Sequence, residues 1–427
     1  MVTLTYAQLL KGNRNFRNLL AGQVISELGN WFIFIACLGL VRVVSDASPL
    51  AAGIFFVCRL LPFAFVSPIA GTFVDRFSRR QVMIVTDLAR VGVALLFLLV
   101  TSEGSLWIAY LGTVLLAVFG AFFEGAKNAT MPNLTGDEGL LAGTALMFST
   151  RFMLMAAGSA LGGWASAAFG YQVAFMINAA SFLLSAYTVW LIPEEATRNE
   201  ETAGRMSGKA KRASFAAELG DGLNYARRNS FALTMLVMNV IWATGGGAIN
   251  IIYERAGGVY FAERERWNPD LAVSILWAAS GLGLTIGMMI AHRTSAYLDR
   301  SDRYVGFIGW TLIIHGLIFA VAGFTPVLWA FSILAFVSRL IVGVEYAIQD
   351  TMLQRSLPDV IRGRIMTLDR GGEILTFGVS SYVASEAMYF ISPMTLTVIS
   401  GVLSALAGVF WFVRMRGGLP STARATR

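Results

Sequence analysis

Gly71-Thr72-Phe73-Val74-Asp75-Arg76-Phe77-Ser78-Arg79-Arg80, the stretch GTFVDRFSRR, places three arginines and one carboxylate within its last six residues. It stands between two runs, Leu50 to Phe73 and Val82 to Val100, that are almost wholly apolar. Charge is scarce elsewhere too. The chain of 427 residues is 56% hydrophobic and 14% charged, with mean hydropathy +0.64, whereas a soluble domain carries about 25% charged residues. Runs of about 20 apolar residues match the thickness of a bilayer, and a helix is the structure that satisfies every backbone group there. The alternating pattern of a membrane barrel is absent.

The apolar runs predict twelve spans, at roughly 16–44, 50–73, 81–101, 106–130, 139–167, 171–193, 231–253, 270–292, 304–324, 326–352, 365–390 and 393–414. The N-terminal segment has no short apolar core with a small-residue cleavage site, so the first span is expected to stay as an anchor. Cys37 and Cys58 fall inside spans and are expected to be free. Of the 33 Lys and Arg residues, five fall within spans. With the N-terminus in the cytoplasm, Arg42, Arg255, Arg264 and Arg266 alone face the other side, and this bias predicts both termini cytoplasmic. The net charge of +7 is thereby explained as a retention signal beside anionic lipid, not as a nucleic-acid surface.

One long polar stretch, Glu194 to Ser230, divides six spans from six. The division predicts an N-terminal bundle over residues 1–194, a cytoplasmic linker over 195–230 and a C-terminal bundle over 231–427. Phe215, Leu219, Leu223 and Tyr225 in the linker suggest the apolar face of an interfacial helix. Two motifs recur across the halves. Asp75-Arg76-x-x-Arg79 returns as Asp299-Arg300-x-x-Arg303, offset by 224 residues, and Glu124-Gly-Ala-Lys-Asn-Ala-Thr130-Met131 returns as Glu345-Tyr-Ala-Ile-Gln-Asp-Thr351-Met352, offset by 221. Both pairs sit at equivalent places in the span order, the mark of a parallel duplication.

The pattern G-x-x-x-D-R-x-x-R-R between the second and third spans resembles the signature loop of the major facilitator superfamily. The stretches NRNFRNLLAGQVISELGNW, RLLPFAFVSPIAG, RRQVMIVTDLAR and LQRSLPDVIRGRIMTL are similar to the branch that includes bacterial enterobactin and macrolide exporters. The resemblance implies an all-α membrane fold of two pseudo-symmetric six-helix bundles that works by alternating access. It also implies a gating role for Gly71, Asp75, Arg76, Arg79 and Arg80, and for Asp299, Arg300 and Arg303 in the second copy. Asp75 would latch onto the start of the eleventh span near Gly363-Arg364-Ile365, and Asp299 onto the fifth near Gly139, as charge meets a helix N-terminus.

Ionisable groups deep in a span are costly, so each is a functional candidate with a partner to be found. The deep set is Glu27, Arg59, Arg151, His315, Arg339 and Glu373. Glu27 and Arg59 lie on adjacent spans and suggest either a structural ion pair or a carboxylate whose protonation follows a nearby cation. Glu27, Asn30, Trp31, Arg59, Arg151, Arg339 and Glu373 are the candidate solute-binding residues; Glu27, Glu373 and His315 are candidates for proton coupling. Asp87, Arg90, Glu124, Lys127, Glu345 and Asp350 lie nearer the span ends and read as braces. Gly158-x-x-x-Gly162-Gly163 suggests close helix approach, and Gly245-Gly246-Gly247 a bend.

No phosphate-binding loop, metal-ligand spacing or nucleophile-base constellation is present, so neither a cofactor nor an enzyme activity is expected. The expected partners are a small-molecule solute, protons and the bilayer, with the chain a monomer. Proton-driven export of an amphipathic, siderophore- or drug-like solute heads the functional readings; a lysophospholipid or lipid flippase, proton-coupled uptake, and a non-transporting sensor or scaffold are the alternatives.

Overall fold

Apolar residues in succession leave a backbone in lipid no partner but itself, and each run closes into helix. The computed structural model of the chain describes residues 4–74, 76–197, 215–301 and 303–416, and no strand occurs among the described residues. The first half holds α1 (Arg14–Val44), α2 (Pro49–Val74), α3 (Arg79–Leu96), α4 (Glu103–Gly136), α5 (Glu138–Phe169) and α6 (Tyr171–Trp190). The second holds α7 (Ser230–Arg255), α8 (Pro269–Ser301), α9 (Tyr304–Ala322), α10 (Leu328–Ser356), α11 (Asp359–Ala387) and α12 (Pro393–Arg414). Eleven of these are long and apolar enough to cross a bilayer; α11, 29 residues long, falls short in apolarity because Arg362, Arg364, Asp369, Arg370 and Glu373 crowd its first half.

The helices form two compact units, α1 to α6 without Ala52–Val57 of α2, and α7 to α12. The first helix of each half starts on an asparagine. Asn13 accepts from the Phe16 amide at 2.8 Å and Asn229 from the Ala232 amide at 3.0 Å, in each case capping a first turn whose amides have no carbonyl to meet. In the first unit α1 packs on α5 and α6 through small residues. A Cβ on Gly158 would stand 2.7 Å from Trp31, and one on Gly162 would stand 3.0 Å from the Cα of Phe32.

Gly245-Gly246-Gly247 does not interrupt α7, which is helical throughout Ser230–Arg255. The glycines instead admit neighbours: Ser400 donates to the Gly245 carbonyl at 2.7 Å and Ser381 to that of Gly247 at 2.8 Å, bringing α12 and α11 against the α7 backbone. The linker helix, Phe215–Arg228, buries Gly222 and Ala226 against α11 and leaves Leu223 39% exposed. Tyr225 packs against the same buried cluster as Ala226, and the Phe215 side chain lies outside the described residues. Several helices also overrun their apolar segments, as when α4 continues through Pro132 to Gly136. That glycine, at φ 62° and ψ 175°, is the residue whose non-helical dihedral angles mark the joint between α4 and α5. At the equivalent place in the second half an extended Leu357 (φ −106°, ψ 138°) precedes Pro358. Cys37 and Cys58 are both free.

Candidate functional site

Glu27 stands 13 residues into α1, about 20 Å along the helix axis. Its carboxylate faces Arg151 of α5 at 3.7 Å, and Asn30, one turn on, donates to it at 3.3 Å. The Glu27 side chain is 16% exposed and that of Arg151 51%. The pair therefore borders an opening. Arg151 also lines a cavity of about 300 Å³ with Gln23 of α1, Glu124, Lys127 and Asn128 of α4, and Thr144, Met147 and Phe148 of α5. Gln23 is held there by its donation to the Met147 carbonyl at 2.9 Å.

Arg59 does not pair with Glu27. Its guanidinium lies 4.4 Å from the centroid of the Phe34 ring. The reason is register: Phe34 is ten residues before the end of α1 and Arg59 ten after the start of α2, so the antiparallel hairpin sets them level. Glu27 lies two turns further away. Trp31 packs against α5 at Gly158 and meets Phe34 edge to face at 5.3 Å. Among the brace residues, Asp87 and Arg90 form a buried ion pair, with Arg90 sandwiched between Phe123 and Phe182 at 4.5 and 4.4 Å.

The second half gathers more acid. Arg370 of α11 binds Asp350 of α10 at 2.6 Å and Glu373 at 3.3 Å, and covers the Tyr346 ring at 4.7 Å. Tyr346 donates to Glu373 at 3.4 Å. A chain of amides adjoins them: Gln349 donates to Asn239 at 2.6 Å, which donates to Asp369 at 2.7 Å. His315 and Arg339 lie apart from this network. His315 receives a hydrogen bond on its backbone carbonyl from Ser338 at 3.0 Å, and Arg339 stands 5.9 Å from the Phe319 ring. The deep candidates thus sort into Glu27, Asn30 and Arg151 in one unit, and Glu373 apart from His315 and Arg339 in the other. Hydropathy places Glu345 and Asp350 near a span end, where they read as braces; the pairing of Asp350 with Arg370 depends on how α10 meets α11.

Of the signature loop, Asp75 lies outside the described residues, as do the side chains of Asp299 and Arg300. Arg79 donates to the Ala129 carbonyl of α4 at 2.7 Å and Arg80 to Trp190, the last residue of α6, at 2.6 Å. Both tie the loop to its own bundle, and Arg80 satisfies a helix-end carbonyl. Gly71 has open space around it and Arg76 is exposed. Arg303 has a weaker partner, the Tyr297 hydroxyl at 3.4 Å. Arg364, at the expected receiving end of the latch, binds Asp221 of the linker helix at 3.1 Å.

The sequence profile described as Major Facilitator Superfamily matches residues 19–309. The chain belongs to this superfamily. It is a multi-pass membrane protein of a transporter family, as are its relatives by name. It is 26% identical to the uncharacterized MFS-type transporter YfiS of Bacillus subtilis, over 84% of the chain and 82% of that protein. It is 24% identical to the protein named "Putative bacilysin exporter BacE" of the same organism, over 94% of each. With macrolide efflux protein A of Streptococcus pyogenes it shares 20% identity, over 88% of the chain and 89% of the relative. The superfamily fold is also that of the nucleoside transporter NupG, with TM-score 0.66 and 14% identity over 93% of this chain and 99% of that one.

Proposed function

We propose that this transporter exports an amphipathic organic solute in exchange for protons by alternating access, from a bacterial inner membrane with both termini in the cytoplasm. The observation that carries the reading is Glu27, a carboxylate deep in α1 whose ion-pair partner, Arg151, is half exposed on the wall of a cavity. A cation that reaches both a carboxylate and open space can trade one for the other: an anionic or catechol-like group on the solute would draw Arg151 away, and Glu27 would then take a proton. Met147 and Phe148 offer apolar surface beside it. The names of the relatives, one a macrolide efflux protein, favour export of such a molecule over uptake or lipid flipping.

In this reading residues 1–194 and 231–427 are the two moving bundles, 195–230 joins them, and the chain works as a monomer. Asp75 serves as the gate latch, while Arg79 and Arg80 fix the loop that carries it. The test is transport by purified protein in liposomes with an imposed pH gradient, across siderophores, dyes, macrolides, peptides and lysolipids. Glu27→Gln, which imitates the neutral acid, should keep solute binding and lose gradient-driven transport. Full transport by this variant would make Glu27 structural.

A further inference from the structure

Glu124 and Glu345 occupy one position of the internal repeat, 221 residues apart. Three residues after Glu124 stands Lys127, which binds it at 2.7 Å. Three residues after Glu345 stands Ile348, 2% exposed and packed with Ala291, Leu298 and Val344. The duplicated acid has kept its place and lost its cation. Glu345 is 3% exposed, its Oε1 has no hydrogen-bond partner, and no donor or cation among the described residues meets its carboxyl.

Its surroundings do not supply a substitute. The nearest acid the geometry brings to this stretch of α10 is Glu373 of α11, which accepts from the hydroxyl of Tyr346, the residue after Glu345. Gln349, one turn on, spends its amide on Asn239. Arg370 is already divided between Asp350, Glu373 and the Tyr346 ring. On α11 Asp369 adds acid, not base, and α7 brings the neutral Asn239 and Trp242, the indole Nε1 of Trp242 being itself unpartnered. His292 and Arg293 of α8 are exposed, and His315 of α9 adjoins Ser338, two turns before Glu345. A buried carboxylate without cation or donor is relieved by binding a proton.

We infer that Glu345 carries a proton and forms with Glu373 a carboxyl pair that takes up and releases one proton, Arg370 holding the remaining charge on Glu373. Release breaks one O–H bond and leaves a carboxylate at Glu345, with the proton passed to water; uptake reverses the step. As the coupling element of export the pair rests on the transport reading above; as a proton site it does not. The two are separated by measuring the proton directly.

The experiment is infrared spectroscopy of the full chain in lipid nanodiscs with ¹³C-labelled glutamate, in H₂O and D₂O at neutral pH. The wild type should show a protonated glutamate carboxyl band that shifts on deuteration and disappears as pH is raised. Glu345→Gln should remove that band and Glu373→Gln should leave it. A wild-type protein without such a band overturns the inference, and needs no variant to fold. A band that survives Glu345→Gln, or is lost in Glu373→Gln alone, places the proton elsewhere and overturns it equally. Loss of the band in Glu345→Gln alongside transport that ignores every pH gradient leaves the proton site standing and removes the proposed coupling.

Discussion

The two halves answer the same problem, a carboxylate on the fourth helix of a six-helix unit, in opposite ways. In the first, Lys127 neutralises Glu124 one turn away, and Arg151 stands near enough to serve Glu27. In the second, no cation among the described residues pairs with Glu345, and Arg370 is shared by Asp350 and Glu373. Duplication kept the backbone plan and let the charge balance diverge, toward cations on the cavity wall of one unit and toward acids in the other. Equivalent position in a repeat is therefore a guide to placement, not to protonation.

The comparison breaks most visibly at Lys127. Replacing it with isoleucine gives the first half the second half's arrangement and strips Glu124 of a charged hydrogen bond worth about 1.5–3 kcal/mol. Lys127→Ile should unfold that much more readily in denaturant titrations in detergent, and adding Glu124→Gln should recover most of the loss. If Glu345→Gln proves as costly as Lys127→Ile, the second-half acid has a partner after all.

The joints between the fourth and fifth helices of each half sharpen the contrast next. Gly136 holds a backbone conformation open essentially to glycine alone, and Gly136→Ala should cost about 1–3 kcal/mol. Leu357→Ala, at the extended residue of the other joint, meets no such strain; its cost is the apolar contact of a side chain 3% exposed. Nothing stands within 4 Å of a Cβ placed at Gly136, so the fall in melting temperature of Gly136→Ala reads backbone strain and not a steric clash. The smallest effect is expected at Arg364, whose bond to Asp221 lies at a surface where ion pairs contribute about 0.2–1 kcal/mol. Arg364→Ala should shift stability within that range, and the shift should shrink in high salt.

Most of the architecture was legible because hydropathy reports on the bilayer. The run predicted at 304–324 became Tyr304–Ala322, and that at 393–414 became Pro393–Arg414. What hydropathy does not see is where helix outlasts lipid, so α4 runs past its apolar segment to Gly136 and α11 begins on charged residues before its own. The gathering of Glu27, Asn30 and Arg151 was half legible: all three were singled out, but the partner of Glu27 follows from how α1 meets α5. Counting from the α1–α2 turn would have placed Arg59 level with Phe34. The lost cation of Glu345 was written in the repeat itself, Lys127 against Ile348, and gains meaning once the structure buries the acid and leaves its Oε1 without a partner.

The two joints also differ in compliance. A glycine can leave its native dihedral angles for many others at little cost, whereas the residue before a proline is confined to the extended region and the proline's own φ is locked. The first half therefore turns its fourth helix into its fifth through a soft coupling one residue long, and the second through a stiff one. Torque applied at the end of α4 would be absorbed at Gly136, while the same torque at the end of α10 would be carried through Leu357 and Pro358 into α11, the helix that bears Arg370 and Glu373.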